Sequence, residues 1–244
     1  VADDSSNILL DPRSSHELFS KRQLVLSPEI NLGGKLVTVD AILDRLRPVL
    51  TSERIGKLDQ VVSQRSFQLV SVLENIYDRG NVSAVMRSAD AFGFLSLHLV
   101  DPPGAKFKAA NRVSKGSEKW LDVNLHSSPK AAVETLRGRG YKIYATHLDT
   151  ATTVEDLDFS GPTAIVLGNE KEGVSPEMLA LVDGTFRIPM YGFSQSFNIS
   201  VAAALILYQA RLNKPPTVVP GSPLSKQILA NYYLRCFDSP EIYF

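Results

Sequence analysis

Three short clusters of polar and glycine residues interrupt an otherwise apolar sequence, and each pairs side chains that can hydrogen-bond or carry charge with backbone that can approach a ligand closely. The first holds Asn75, Arg79, Asn81 and Arg87. Asn81 and Arg87 are six positions apart, nearly two helical turns, so a helix starting at or just before Asn81 is expected to bring both to the same side. Arg87 stands in the small and apolar run AVMRSADAFGF. Its planar guanidinium suits a phosphate. The alternative is a surface arginine that lays its stem over apolar atoms or pairs with Asp90.

The second cluster is LGNEKEG, residues 167–173, directly after the apolar run TAIV. Gly168 and Gly173 permit close backbone approach, and Asn169 and Glu170 place polar groups at a strand end. A strand-to-helix turn without a ligand has the same composition. The third, RIPMYGFSQSFNIS at 187–200, sets Gln195, Ser196 and Asn198 before a nearly continuous apolar helix. Either Ser196 or Asn198 is placed to cap that helix.

Other chemistries lack their residues. No G-x-G-x-x-G follows a strand; the nearest match, GRGYK, lacks the third glycine and precedes a strand. There is no Walker A sequence, and His16, His98, His126 and His147 are scattered without metal-ligand spacing. Cys236 is the single cysteine, so no intramolecular disulfide forms; it reads as a small buried hydrophobe in a reducing, intracellular setting. The first residue is Val1 rather than methionine, which leaves the compartment open between cytoplasm and an organelle, plastid or mitochondrion.

The elements that must position these clusters follow from the hydrophobic period. Residues 39–64 put Ile42, Leu43, Leu46 and Val49, then Ile55, Leu58, Val61 and Val62, on helical faces, with Pro48 separating two short helices. FQLVSVLENI reads as a buried strand ending near Asn75, and NVSAVMRSADAFGF as a helix ended at Gly93. LSLHLVD is a strand, residues 130–139 a helix, YKIYATHL and TAIVLGN strands, SPEMLALVD a helix, and FNISVAAALILYQARL a long apolar helix. Strands alternating with helices predict an α/β domain around a mainly parallel sheet over residues 65–213. Residues 1–64 form an N-terminal extension, a flexible or surface-draped arm to about 34 and then helices. Residues 214–244 form a linker and one terminal helix.

The chain of 244 residues has 26 basic and 26 acidic side chains, a balance that excludes the global positive field of a nucleic-acid coat and makes any RNA binding local. No apolar run approaches the roughly 18 residues of a membrane helix.

Taken in order, ENIYDRGNVSAVMRSADAFG, IVLGNEKEGVSPEM and IPMYGFSQSFNISVAAALILYQ resemble the three signature motifs of the SPOUT superfamily, specifically its TrmH or SpoU family of RNA 2′-O-ribose methyltransferases. The resemblance covers about residues 52–213. It implies a deep trefoil knot, a homodimer, S-adenosyl-L-methionine as methyl donor and no metal. It also implies catalytic roles for Arg87, Asn81, Glu170, Ser196 and Asn198, and a donor site at Thr146, Gly168, Ile188, Met190 and Phe197. Phe197 stands where many relatives carry leucine. The short helical segment before the first motif and the terminal helix resemble the members that methylate a D-loop guanosine of transfer RNA, rather than ribosomal RNA. A catalytically silent RNA-binding protein of the same fold is the other reading, and retention of the five polar residues argues against it.

Overall fold

The computed structural model describes residues 23–101, 116–212 and 216–244. Within them, residues up to Ser66 and from Pro216 onward form one compact unit, and residues from Phe67 to Leu212 form another.

The first unit begins with a hairpin, β1 (Glu29–Leu32) against β2 (Lys35–Thr38). The arm expected over 1–34 lies outside the described residues as far as residue 22, and beyond that point the hairpin replaces it. Its strands have four residues each, too few to display a period, but the turn was legible: Gly33 and Gly34 have φ of 62° and 98°, the pair of positive values that a two-residue hairpin turn requires. Helices α1 (Val39–Leu46) and α2 (Ser52–Val62) follow, split by a 3₁₀ turn at Arg47–Val49 that carries Pro48. Thr38 and Thr51 cap them, each hydroxyl accepting an N–H three residues on.

The last helix of the chain, Pro223–Arg235, packs against α1 and α2. Its Asn231, wholly buried, holds the strand-like segment at Val25 by two hydrogen bonds of 3.0 Å, one donated and one accepted. An amide side chain that copies a backbone pair in this way satisfies its own polar groups as it buries them.

The second unit is built on β3 (Leu69–Glu74), β4 (Ser96–Val100), β5 (Asp122–His126), β6 (Lys142–Thr146), β7 (Thr163–Leu167) and β8 (Gly184–Phe186). All pairings are parallel, in the order β5-β4-β3-β7-β6-β8. Central strands covered on both faces read as continuous apolar runs, and β3, β4 and β7 are buried throughout. Two strands escape the sequence pattern. β5 carries Asp122, Asn124 and His126 on one face, and β8 has three residues beginning with glycine.

Around the sheet lie α3 (Arg79–Ala91), α4 (Pro129–Gly138), the single turn α5 (Pro176–Leu179) and α6 (Ile199–Leu212), and the terminal helix of the first unit is α7. α3 starts two residues before Asn81, because Asp78 caps it by accepting from the Gly80 N–H at 2.7 Å. The helix expected over SPEMLALVD stops at Leu179. Asp183 then pairs with β6, its N–H donating to Ile143 O at 2.8 Å and its carboxylate accepting from Ile143 N–H at 2.8 Å, which starts β8. The core between sheet and helices joins Leu73, Val85, Met86, Ile165, Ile206 and Leu207.

Candidate active site

β3 and β7 are neighbours at the centre of the sheet, yet the chain leaves them in opposite directions, from β3 to β4 on one side and from β7 past β6 to β8 on the other. Divergence of this kind opens a crevice at the carboxyl ends of the two strands, where α/β sheets hold their ligands. The loop after β3 carries the first polar cluster, and the loop after β7 carries the second.

Glu170 joins them. Its Oε1 accepts from Asn81 Nδ2 at 2.9 Å and from the Asp78 N–H at 3.3 Å, and its Oε2 accepts from the Tyr77 N–H at 3.1 Å. Asn81 Oδ1 in turn accepts from Asn198 Nδ2 at 3.0 Å, and Asn198 Oδ1 accepts from the N–H and hydroxyl of Ser200 at 2.8 and 2.6 Å. The result is a directional chain of donors running from the start of α6, through Asn198 and Asn81, to an anion. Partial burial works to raise the Glu170 pKa, but the bonds from Asn81 and from the Tyr77 and Asp78 amides outweigh it and hold the carboxyl below its ordinary value.

Each participant is fixed locally. Asn198 caps α6, since its carbonyl accepts from Ala202 N–H at 2.9 Å while its side chain serves Ser200. Of the two candidate caps, the structure uses Asn198. Asn81 is buried in the first turn of α3. The 169–173 loop closes on itself through paired backbone bonds of 2.9 Å between Asn169 and Gly173. A Cβ at Gly168 would stand 2.2 Å from the Gly173 carbonyl carbon and the Val174 nitrogen, so the loop's own backbone fills the space beside it. The loop is also anchored to β3: Glu74, 5% exposed, accepts from the Ser175 hydroxyl at 2.6 Å and its N–H at 2.8 Å.

Arg87 and Ser196 stand outside this chain of bonds. At about 100° per residue, six positions leave Arg87 about 120° from Asn81 around the helix. Asn81 accordingly faces inward, whereas Arg87 is exposed and makes no hydrogen bond or ion pair with a described residue, neither Asp90 nor any other. Expectation had placed the two on one side. Ser196 is also exposed, without a side-chain hydrogen bond among the described residues. Arg79 is engaged elsewhere, its guanidinium 3.0 Å from Asp101.

Two further strand ends, those of β6 and β8, lie beside the crevice. β6 pairs with β7 on one edge and β8 on the other, so Gly168, Thr146 and Ile188 come at neighbouring chain ends, with Met190 two residues on. Thr146 commits its hydroxyl to Val166 O at 3.1 Å and is paired with Phe186 in the β6–β8 ladder. Ile188 and Met190 are half-buried and Phe197 is 38% exposed. A cavity of about 250 Å³ lies at the ends of β3, β4 and β7, with Asn75 and Asn169 of the two loops and Glu74, Asp101, Glu172 and Glu177 in its wall, and none of the expected donor-site residues. Sequence reasoning passed over Tyr77 and Ser200, whose neighbours in the motifs carried the signal.

Residues 68–208 match the SpoU rRNA Methylase family. The chain is 41% identical over 194 residues to the tRNA (guanosine(18)-2′-O)-methyltransferase of Thermus thermophilus, covering 79% of this chain and 93% of that one. Its fold is similar to the crystal structure of the A. aeolicus TrmH/SpoU tRNA modifying enzyme, with a TM-score of 0.68, 32% identity, and coverage of 74% of this chain and 95% of that one. It is also similar to the SpoU methyltransferase AviRb from Streptomyces viridochromogenes in complex with the cofactor AdoMet, with a TM-score of 0.56, 29% identity, and coverage of 63% and 60%.

Proposed function

The chain belongs to the SpoU rRNA Methylase family, and on that premise we propose that it transfers a methyl group from S-adenosylmethionine to the ribose 2′-hydroxyl of guanosine 18 in transfer RNA. The observation that carries this reading is the bonded chain Asn198–Asn81–Glu170, in which one residue from each of the three motifs meets at the switch point of the sheet. The name of the Thermus relative supports transfer RNA as substrate.

The strand ends fit the methyl donor. Ile188, Met190 and Phe197 offer partly exposed apolar surface for a purine, and the chain at Thr146 and Gly168 offers backbone polar groups. S-adenosylmethionine supplies an electrophilic methyl group on a positively charged sulfur. The protein's own residues then divide the remaining work. A ribose hydroxyl becomes a nucleophile only as its proton leaves, here to solvent water, while the methyl leaves the sulfonium as a neutral thioether. A guanidinium is a donor and never an acceptor, so the part of Arg87 is to hold an RNA phosphate and stabilise the oxygen as it becomes anionic. Glu170, ionised and saturated with donors, fixes the two loops rather than accepting a proton. Asn198 caps α6 and orients Asn81. The exposed Ser196 hydroxyl, without a partner among the described residues, meets the substrate.

The reading includes the trefoil threading of this unit and a homodimer. Val201, Leu205, Tyr208 and Leu212 are 45%, 41%, 53% and 57% exposed, and their spacing makes one apolar stripe along α6. A stripe of that length in water favours a second copy. Sedimentation should find a dimer at micromolar concentration; a monomer would remove this part. The function itself is tested by mapping 2′-O-methyl groups by mass spectrometry in transfer and ribosomal RNA from cells with and without the protein. Loss at guanosine 18 of transfer RNA is expected. Loss confined to ribosomal RNA would move the substrate, and no loss anywhere would overturn the assignment.

A further inference from the structure

Tyr77 lies between the end of β3 and the cap of α3, and its side chain is 86% exposed. The backbone beneath it is held from several directions. Asn75 N–H donates to Val100 O at 2.8 Å, Asn169 Nδ2 donates to Asn75 O at 2.7 Å, and the N–H groups of Tyr77 and Asp78 both bind Glu170. Asn75 has φ of 50°, alone among the described non-glycine residues in taking a positive value. Such a conformation persists only where neighbours over-determine it. A large ring is thus mounted on a braced loop and left in water, against the tendency of apolar surface to be buried. Tyr191 and Phe193 are also exposed, but their segment has no comparable bracing bonds among the described residues.

We infer that Tyr77 is the stacking surface for the base of the nucleotide whose ribose is methylated. This rests on the function proposed above. Proteins that select a nucleotide in a folded RNA loop draw its base out of the stack and lay it on an aromatic face, because every base has a π-face and the duplex edge is otherwise hidden. The position suits that role. The Tyr77 backbone N–H shares Glu170 with Asn81, so the ring is carried by a residue anchored directly on the Asn198–Asn81–Glu170 chain, within a nucleotide's reach of it. A loop braced before the RNA arrives also loses little backbone freedom on binding.

The test couples the ring to the base. Wild-type protein and the variants Tyr77→Ala, Tyr77→Phe and Tyr77→Trp are assayed on a transfer RNA transcript, and on the same transcript with an abasic ribose at the target that keeps its 2′-hydroxyl. On intact RNA, Tyr77→Ala should lower kcat/KM about tenfold or more, while the two aromatic variants stay near wild type. On abasic RNA the alanine substitution should have little further effect. An equal penalty on both RNAs would overturn the inference, as would a phenylalanine variant as poor as alanine. Weakened S-adenosylmethionine binding by calorimetry, or a dimer that dissociates in Tyr77→Ala, would show the ring to be structural and overturn it too. Failure of the function reads differently: the wild-type protein would then transfer no methyl group to intact RNA.

Discussion

Two polar networks sit in one parallel sheet, and they differ in what surrounds them. At the ends of β3 and β7, Asn198, Asn81 and Glu170 form a chain that opens to the surface and is flanked by exposed Arg87, Ser196 and Tyr77. Between β4 and β5, Ser96 and Asn124 donate to Asp122 at 3.3 and 3.0 Å, and His98 Nδ1 lies 2.8 Å from His126 Nε2 with the rings stacked at 5.0 Å. Ser96, His98, Asp122 and Asn124 are all buried. Beside the first network, the side chains of Arg87 and Ser196 have no hydrogen-bond partner among the described residues and remain available to a ligand. The second encloses its groups within the sheet and holds an edge strand whose alternation is otherwise too polar to pack. A polar network that works on a substrate leaves donors facing outward, and one that works for the fold turns them inward.

Breaking each network should therefore move different measurements. The largest effect is expected at the open one. Arg87→Ala should lower the rate of methyl transfer by about a hundred- to a thousandfold, the effect of losing a donor to developing charge. The melting temperature should hardly change, because the side chain touches no described partner. Arg87→Lys sharpens the point: if the planar fork matters, lysine is nearly as poor as alanine in single turnover, and if only charge matters, lysine retains most of the rate.

The enclosed network should respond in stability instead. Asp122→Ala leaves Ser96 and Asn124 without this acceptor and should destabilise the protein by about 1–3 kcal/mol in denaturant titration. Turnover at saturating substrate in the fraction that stays folded should be close to wild type. A large loss of turnover with unchanged stability would erase the distinction between the networks.

Acid should separate them as well. Burial, reinforced by the Arg139 charge, lowers the His126 pKa from 6.5 to about 4. As pH falls through 6.5 the unfolded chain takes up a proton that the folded chain refuses until about 4, so stability is full above that window and declines within it. His126 is only partly buried, and after solvent screening the loss should be at most about 2 kcal/mol. His126→Gln should flatten the profile. Glu170, whose donors hold its pKa below the ordinary value, should take up its proton only at lower pH than an unbonded glutamate.

The smallest effect is expected where the open network touches a helix end. Asn198→Ala removes the cap of α6 and should cost about 1 kcal/mol of stability, with a drop in methyl transfer as Asn81 loses a partner. A stability loss without any change in rate would reduce Asn198 to a cap.

Much of this was legible in the residues. The apolar runs of β3, β4 and β7, the break at Pro48 and the glycine stop of α3 follow from local chemistry, and the structure has each of them. The hairpin at 29–38 was written in its Gly-Gly turn, which a search for longer periods passes over. β5 and β8 were not legible, since a strand that carries Asp122, Asn124 and His126 on one face, or has only three residues, shows no period above its surroundings.

By itself the sequence determined the alternation of strand and helix and the chemical types present in each motif, because propensity, capping and hydrophobic period act over a few residues. It could not decide which of those residues meet. Asn81 bonds to Glu170 across 89 positions and to Asn198 across 117, while Arg87, only six from Asn81, turns away to the surface. That partition came from the strand order, which sets β3 beside β7, and from the pitch of α3, which sends one side chain to the crevice and the other to water.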